Sequence, residues 1–266
     1  MNPPRKGARI EISRLGKVFE GSRGTVPALV DIDLSIAAGE FLCIVGPSGC
    51  GKSTLLRILA GLEKQTTGSF TIDAAGWTVA NAMVFQESGL FPWMSVEENI
   101  AFGLTTRGVK RDECKDRVER AMKLVGLSKF RRHFPHQLSG GMRQRGAIAR
   151  AFVTDPAVLF MDEPFAALDA QNRVILQEEL VRLWEETGKT VVYITHSIEE
   201  ALFLGNRAVI MTAQPGRIKE VMPVPFSHPR KLMELSASPE FGALKLRIWR
   251  ELEGEVMRAR REQEGA

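Results

Sequence analysis

The stretch Gly46-Pro47-Ser48-Gly49-Cys50-Gly51-Lys52-Ser53-Thr54 limits what this chain can fold into more than any other. It fits G-x-x-x-x-G-K-[ST], a glycine-rich loop whose successive backbone N–H groups point at phosphate oxygens. The flanks suit that reading. Phe41-Leu42-Cys43-Ile44-Val45 precedes the loop as an apolar run of the kind a buried parallel strand carries, and Leu55, Leu56, Ile58 and Leu59 recur behind it at helical spacing. Glycine lets the backbone wrap closely around the anion, and the helix start adds its positive end to the same place. Lys52 is spaced to reach the β- and γ-phosphates of a nucleotide, and the Ser53 hydroxyl to bind Mg²⁺. The bland alternative is a chance glycine-rich turn between strand and helix.

The rest of the chain alternates in character. Arg9–Ile12 reads as a short strand, and residues 15–25 as a loop holding Phe19. Ile32, Leu34 and Ile36 alternate with polar residues, which predicts a half-exposed strand, and Phe70 and Ile72 suggest an edge strand. Ala82–Phe85 is a second buried strand ending at Gln86. Residues 95–104, 112–125 and 140–151 read as helices, so the pattern predicts a helical lobe over 87–155 interrupting an αβ core made of 1–86 and 156–222. The core resumes with Val158–Met161 and Asp162-Glu163-Pro164. Asp169 is placed to cap a helix that Gly188 ends, and a strand over 190–195 leads to His196. A short helix over 198–204 and small strands near Val209 and Ile218 follow, and an extension over 223–266 ends in an amphipathic helix of about 240–258. Strands alternating with helices around a phosphate loop predict a mainly parallel sheet covered on both faces.

Composition narrows the field by exclusion. Thirty-six basic against 32 acidic residues leave a formal charge of +4 over 266 residues, too small a surplus to argue for nucleic acid. No apolar run approaches a membrane span, and the opening residues do not resemble a signal peptide. Cys43, Cys50 and Cys114 read as reduced thiols in a cytosolic setting. With Cys50 inside the loop, bound MgATP is expected to shield it from alkylation. His133-x-x-His136 has a metal-like spacing without a cysteine or carboxylate cluster, and Lys129–Arg132 reads as a solvated basic face.

A phosphate loop alone leaves kinases, GTPases, helicases and transport ATPases open. Leu138-Ser139-Gly140-Gly141-Met142, opening a helix inside the predicted lobe, narrows them. The chain resembles the ATP-binding subunits of ABC transporters, whose signature is of this LSGG type. The resemblance runs from about Ile10 to Val221 with each expected element in order. Gly46–Thr54 stands as Walker A, Gln86 as the Q-loop glutamine and Val158–Glu163 as Walker B with its adjoining glutamate. Ala167-Leu168-Asp169 stands as the D-loop and His196 as the switch histidine. The resemblance implies an α/β P-loop NTPase of RecA-like core, with an antiparallel β edge and an inserted helical lobe.

It also implies roles. Asp162, at the carboxyl end of a buried strand, holds Mg²⁺ and its waters opposite Ser53, with Gln86 as a further metal-side group. Glu163 is the candidate general base; a second metal-side carboxylate or a capping acid is the alternative. His196 would hydrogen-bond the γ-phosphate and orient Glu163, although a lone histidine is more often structural. Ser197 stands where the family more often has Asp. Phe19 resembles the adenine-stacking aromatic, its alternative being an ordinary core phenylalanine. Ser139, Gly140 and Gly141 with Asp169 would contact ATP bound by a second copy, giving a two-fold homodimer around two ATP molecules.

Leu90-Phe91-Pro92-Trp93, Val96 and Asn99-Ile100 look like the nitrate/sulfonate/taurine importer group, and Gln214–Ile218 agrees. Such a subunit sits on the cytoplasmic face of the plasma membrane and powers a separate permease. An external solute-binding protein joins indirectly, and no nucleic acid is expected. The groove beside residues 91–94 would receive the permease, the alternative for Trp93 being lobe core. An importer for another solute such as a thiamine precursor, or a soluble ABC ATPase acting on nucleic acid or ribosomes, remains the competing reading.

Overall fold

The computed structural model describes residues 7–21, 24–166 and 168–264. Its central sheet follows from strands with no exposed face. Every residue of β3 (Phe41–Val45), β6 (Val158–Asp162) and β7 (Thr190–Ile194) is buried. Alternate side chains in a strand point to opposite sides, so Phe41, Cys43, Met161 and Tyr193 enter one core while Leu42, Ile44, Phe160 and Val192 enter the other. Each large apolar side chain so buried stabilises the fold by about 1.5–3 kcal/mol before its entropy cost. With β5 (Asn81–Val84), β8 (Arg207–Met211) and β9 (Ile218–Pro223) the strand order is β5-β6-β7-β3-β8-β9. All neighbours run parallel except β9, which pairs antiparallel with β8. β3, β6 and β7 therefore deliver their carboxyl ends to one edge of the sheet, the crevice where such folds bind ligands.

One face of this sheet is covered by α1 (Lys52–Leu59) and a separate antiparallel sheet, β2-β1-β4. Here the sequence reading needs correction. Of residues 15–25, expected as a loop, 15–21 and 24–25 belong instead to two long strands, β1 (Arg9–Gly21) and β2 (Gly24–Ile36), with β4 (Thr67–Asp73) on β1's other edge, while 22–23 lie outside the described residues. Their register shifts between Ile12 and Leu15 and again at Lys17, and Arg14 has φ +44°. Such bulges break the two-residue alternation by which a strand is recognised in sequence.

The other face carries α5 (Ala170–Thr187), α6 (Ile198–Leu204) and α8 (Pro239–Glu264), with Leu176, Leu180, Phe203, Phe241 and Ile248 in one core. Asp169 accepts from the Asn172 N–H at 3.0 Å at the start of α5, and Gly188 ends it at φ +62°, both as the residue types required. After β9 the chain wraps back over the core. Buried Arg230 donates to the carbonyls of Leu202, Phe203 and Gly205 at the end of α6, and His228 meets the Trp184 ring edge-on. The short helix α7 (Leu232–Ser236) has no sequence signal that distinguished it from the proline-rich stretch around it.

Between β5 and β6 lie α2 (Val96–Thr105), α3 (Arg111–Leu124) and α4 (Gly140–Phe152), with a core of their own built from Val96, Ile100, Val118, Met122 and Ala149. Ser95 and Glu98 form a reciprocal capping box at the start of α2. α4 faces both ways: Ala147, Ile148 and Ala151 pack toward the central sheet.

Candidate nucleotide site

The loop from β3 to α1 turns on glycines placed for different reasons. Gly51 caps α1 at φ +98°, and a Cβ there would lie 2.8 Å from the Ala28 carbonyl, so no side chain fits. Ser48 and Gly49 form the exposed rim, while Pro47 and Cys50 are buried beneath it. Lys52 is buried, and its Nζ donates to the carbonyls of Gly46 and Pro47, both at 2.8 Å. The ammonium thus sits against the start of the loop, held by two of its carbonyls. Behind the loop, the β8–β9 turn buttresses it: a Cβ on Gly216 would stand 2.0 Å from the Cys50 carbonyl. Sequence reading noted residues 214–218 without this role.

The β6 end supplies two carboxylates. Ser53 Oγ donates to Asp162 Oδ1 at 3.0 Å. Burial raises the Asp162 carboxyl above its ordinary range, the Ser53 hydrogen bond opposing and neighbouring Glu163 adding to it. A buried carboxylate with a hydroxyl alongside, both hard oxygen donors, is the chemistry of a Mg²⁺ site that shares its metal with phosphates. An acid whose pKa is raised on folding binds its proton more tightly in the folded state, so its contribution to stability falls as pH rises above the unfolded value. Asp162→Asn is therefore expected to raise the melting temperature of the nucleotide-free protein at neutral pH, and to do so less at acid pH, where the native carboxyl is protonated. The same variant should lose most of the further rise that MgATP gives; differential scanning calorimetry reads both.

Glu163 has φ +45°, a conformation a non-glycine residue adopts at a cost of about 1–3 kcal/mol. Its N–H donates to the Ile194 carbonyl at 3.1 Å, which turns the side chain out of the strand direction. Glu163 Oε2 then lies 3.1 Å from His196 Nδ1, on a side chain that is 65% exposed. The histidine is not free to wander, because the segment around it is tied. Glu200 accepts from Thr195 Oγ1 at 2.6 Å, Gln177 Nε2 at 2.9 Å and Tyr193 OH at 3.2 Å, and Ser197 N donates back to Thr195 Oγ1 at 2.9 Å. None of this bracing was read from the sequence. The buried polar positions on otherwise apolar helices, Gln177 among Leu176 and Leu180, were its available signal.

Gln86 follows β5 and is exposed. The carbonyl before it, on Phe85, accepts from the buried Gln144 side chain at 3.0 Å, and Arg150 holds the Gly89 carbonyl at 2.8 Å. Gln144 occupies the same face of α4 as Ala147, Ile148 and Ala151, a polar residue on a buried stripe, and that pattern could have found it. α4 is also the helix that Ser139 opens, its Oγ accepting from the Met142 N–H at 3.2 Å. The Gln86 turn and the signature are thus two ends of one rigid connection. A Cβ on Gly141 would lie 2.6 Å from Leu168 Cδ2, so the signature packs directly on the segment before Asp169. Ala167, the first D-loop residue, lies outside the described residues. Among the described residues no hydrogen bond or ion pair joins Ser139–Gly141 to the phosphate loop of the same chain.

Five further expectations meet the structure. Phe19 is 40% exposed on β1, with the Lys17 ammonium 4.7 Å from its ring centre, which overturns the core reading and leaves a ring face open. Trp93 is 69% exposed, leaning on Phe91, so it is not lobe core. Cys50 is buried, and burial pushes its thiol pKa up against the pull of Lys52. Burial and a raised thiol pKa both disfavour the reactive thiolate, so slow alkylation of the nucleotide-free protein is the expected baseline against which MgATP protection is measured. Arg131 pairs with Glu97 and Glu119, as suits a solvated face, and among the described residues no group of three metal-ligating side chains includes His133 or His136.

A parallel sheet ending in a glycine loop, with a buried lysine against the loop and a Ser–carboxylate pair beside it, defines a P-loop ATPase. The family described as ABC transporter matches residues 29–166, and this chain belongs to it as an ATP-binding subunit. It is 43% identical over 247 residues to the aliphatic sulfonates import ATP-binding protein of Bacillus subtilis, covering 92% of this chain and 93% of that one. It is 42% identical over 259 residues to the taurine import ATP-binding protein of Roseobacter denitrificans, covering 93% and 96%. Among solved structures it is similar to a dimeric ATP-binding cassette in a post-hydrolysis state with ADP and Pi. That match has a TM-score of 0.73 at 31% identity over 82% of this chain and 100% of that one.

Proposed function

We propose that two copies of this chain close around two MgATP and that hydrolysis there powers import of a small organic anion, of the sulfonate or taurine kind, through a separate membrane permease. The observation that carries the reading is the Glu163–His196 contact at 3.1 Å, one residue beyond an Asp162 that holds Ser53 at 3.0 Å. Lys52 and the amides of Gly46–Thr54 bind the β- and γ-phosphates. Ser53 and Asp162, with Gln86 nearby, would hold Mg²⁺, which would supply positive charge against the phosphates. Glu163 takes the proton of the attacking water as its oxygen bonds to the γ-phosphorus, and the bond to the β–γ bridging oxygen breaks, releasing ADP and phosphate. His196 orients Glu163. Phe19 stacks on the adenine, and the partner's Ser139, Gly140, Gly141 and Asp169 complete the site.

The subunit works on the cytoplasmic face of the membrane, fed indirectly by a solute-binding protein. Coupling follows from the bracing: a Gln86 that moves with nucleotide state drags the segment pinned by Gln144 and Arg150, and with it the exposed Trp93. Trp93→Ala is expected to leave ATP hydrolysis by the isolated subunit within twofold while lowering solute uptake through the permease about tenfold or more, the loss of one interface aromatic. Uptake into reconstituted vesicles alongside phosphate release separates the two; equal losses would mean misfolding.

The reading as a whole is tested by affinity capture of tagged Glu163→Gln protein from solubilised membranes of its source, with and without MgATP. Recovery of a multi-span permease is the expected result. Recovery of ribosomes or nucleic-acid enzymes, with no membrane protein, would overturn the importer assignment.

A further inference from the structure

We propose that the exposed stripe of α8 packs on a second copy of this chain, against the start of that copy's α5, so that the C-terminal helix is part of the ATP-dependent dimer interface. The proposal rests on the two-copy reading above and adds a surface to it that lies outside the nucleotide motifs.

α8 is firmly held on its inner side. Phe241, Ile248 and Leu252 are buried, and the buried Glu255 carboxylate accepts from the Ala213 N–H at 3.0 Å and pairs with Lys219 at 3.2 Å. Arg247 pairs with Glu220 at 2.7 Å, and Lys245 with Glu199. Its other side is unfinished. Leu246, Trp249 and Met257 are each about half exposed, at 49%, 48% and 48%, and at three and eight residues apart they fall on one face. Arg250, Glu253 and Arg260, all exposed, belong to that same face by the helical repeat, so its charge is positive by one. Trp249 thus stays half open on a helix that is otherwise well anchored.

Position says what covers it. Trp249, Val256 and Arg260 form one wall of a groove of about 300 Å³ whose other wall is Pro47, Ser48 and His196. The stripe is thus continuous with the rim onto which a partner's signature would come. Gly141 packs on Leu168 within each copy, so a partner's signature cannot approach that rim without its Asp169 and the first turns of its α5. Those turns carry their own unexplained apolar residue, Ile175, which is 54% exposed. Exposed Glu178, one turn further along the same face, is opposite in charge to Arg250 and Arg260. Two half-exposed apolar surfaces of complementary charge, each beside one half of the composite site, fit each other in the closed pair.

Sedimentation of Glu163→Gln protein in MgATP, with and without Trp249→Glu, tests this. The expected result is a dimer about tenfold or more weaker in the double variant, the cost of losing a central interface tryptophan. Trp249→Ala should give a smaller loss, with unchanged binding of a fluorescent ATP analogue at concentrations where the protein is monomeric. A chain carrying Trp249→Cys and Ile175→Cys should form a disulfide-linked dimer on copper-phenanthroline oxidation only with MgATP; Cys43, Cys50 and Cys114 are buried and give little background. An identical dimer constant with Trp249→Glu would overturn the proposal while the ATP-bound pair stands, and would assign the stripe to another protein or a membrane. A weaker dimer without the cross-link would overturn the pairing with α5. Failure of the Glu163→Gln parent to dimerise would overturn the two-copy reading, and this proposal with it.

Discussion

Glu163→Gln should lower kcat by about 10²–10⁴-fold, the contribution of a positioned general base, while MgATP still binds. The two effects separate because of where Glu163 stands. Its backbone is fixed by the hydrogen bond to Ile194 and by its left-handed conformation, neither of which the amide changes. Glutamine retains an oxygen to accept from His196 Nδ1, so the 3.1 Å contact is preserved in outline. What is lost is a group able to take a proton from water. Lys52, Ser53 and Asp162 keep their contacts, so the binding half of the site is intact. Phosphate release and nucleotide retention, measured on one preparation, report the two halves. A variant hydrolysing at more than about a tenth of the parent rate would remove Glu163 from the role of base.

Lys52→Met should act on the other half, weakening MgATP binding by about 30–1,000-fold, or about 2–4 kcal/mol for a charge-assisted contact to phosphate. The reason lies at the start of the loop. The ammonium is buried and shared between two carbonyls at 2.8 Å, so it is partly desolvated before nucleotide arrives. Its attraction to a phosphate in that setting is stronger than in water. Methionine fills the volume without the charge, leaving the Gly46 and Pro47 carbonyls without this donor. Some loosening of the loop is expected as well, seen as faster hydrogen exchange at residues 46–51. Titration calorimetry with MgATP is the check, and a change in affinity below about threefold would contradict the placement of this charge.

How much was legible in the sequence follows a physical line. Where the chemistry is local and contiguous, as in Gly46–Thr54, Val158–Glu163 or Ser139–Met142, the residues announce their own environment. Strands buried on both faces, such as Phe41–Val45, are unmistakable because no position is polar. The later part of β1 and the start of β2 were expected as a loop, because the bulges between Ile12 and Val18 destroy the alternation that makes a strand visible. The supports of the site were mostly invisible for a different reason. Gln144 reaches a carbonyl 59 residues away, and Gly216 leaves room for a loop 166 residues before it, pairings that only the folded chain brings together. Phe19 and Trp93 show the converse: sequence offered a buried and an exposed reading for each, and only accessibility chose between them.

The composite nature of the site is the central claim, and its most direct measurement is the ATPase rate per chain across protein concentration. If the phosphate loop of one copy needs the signature of another, the rate per chain rises with concentration and levels off where sedimentation shows the dimer complete. A rate per chain that stays constant down to concentrations at which the protein sediments as a monomer would contradict it, and would place the whole of catalysis within a single copy.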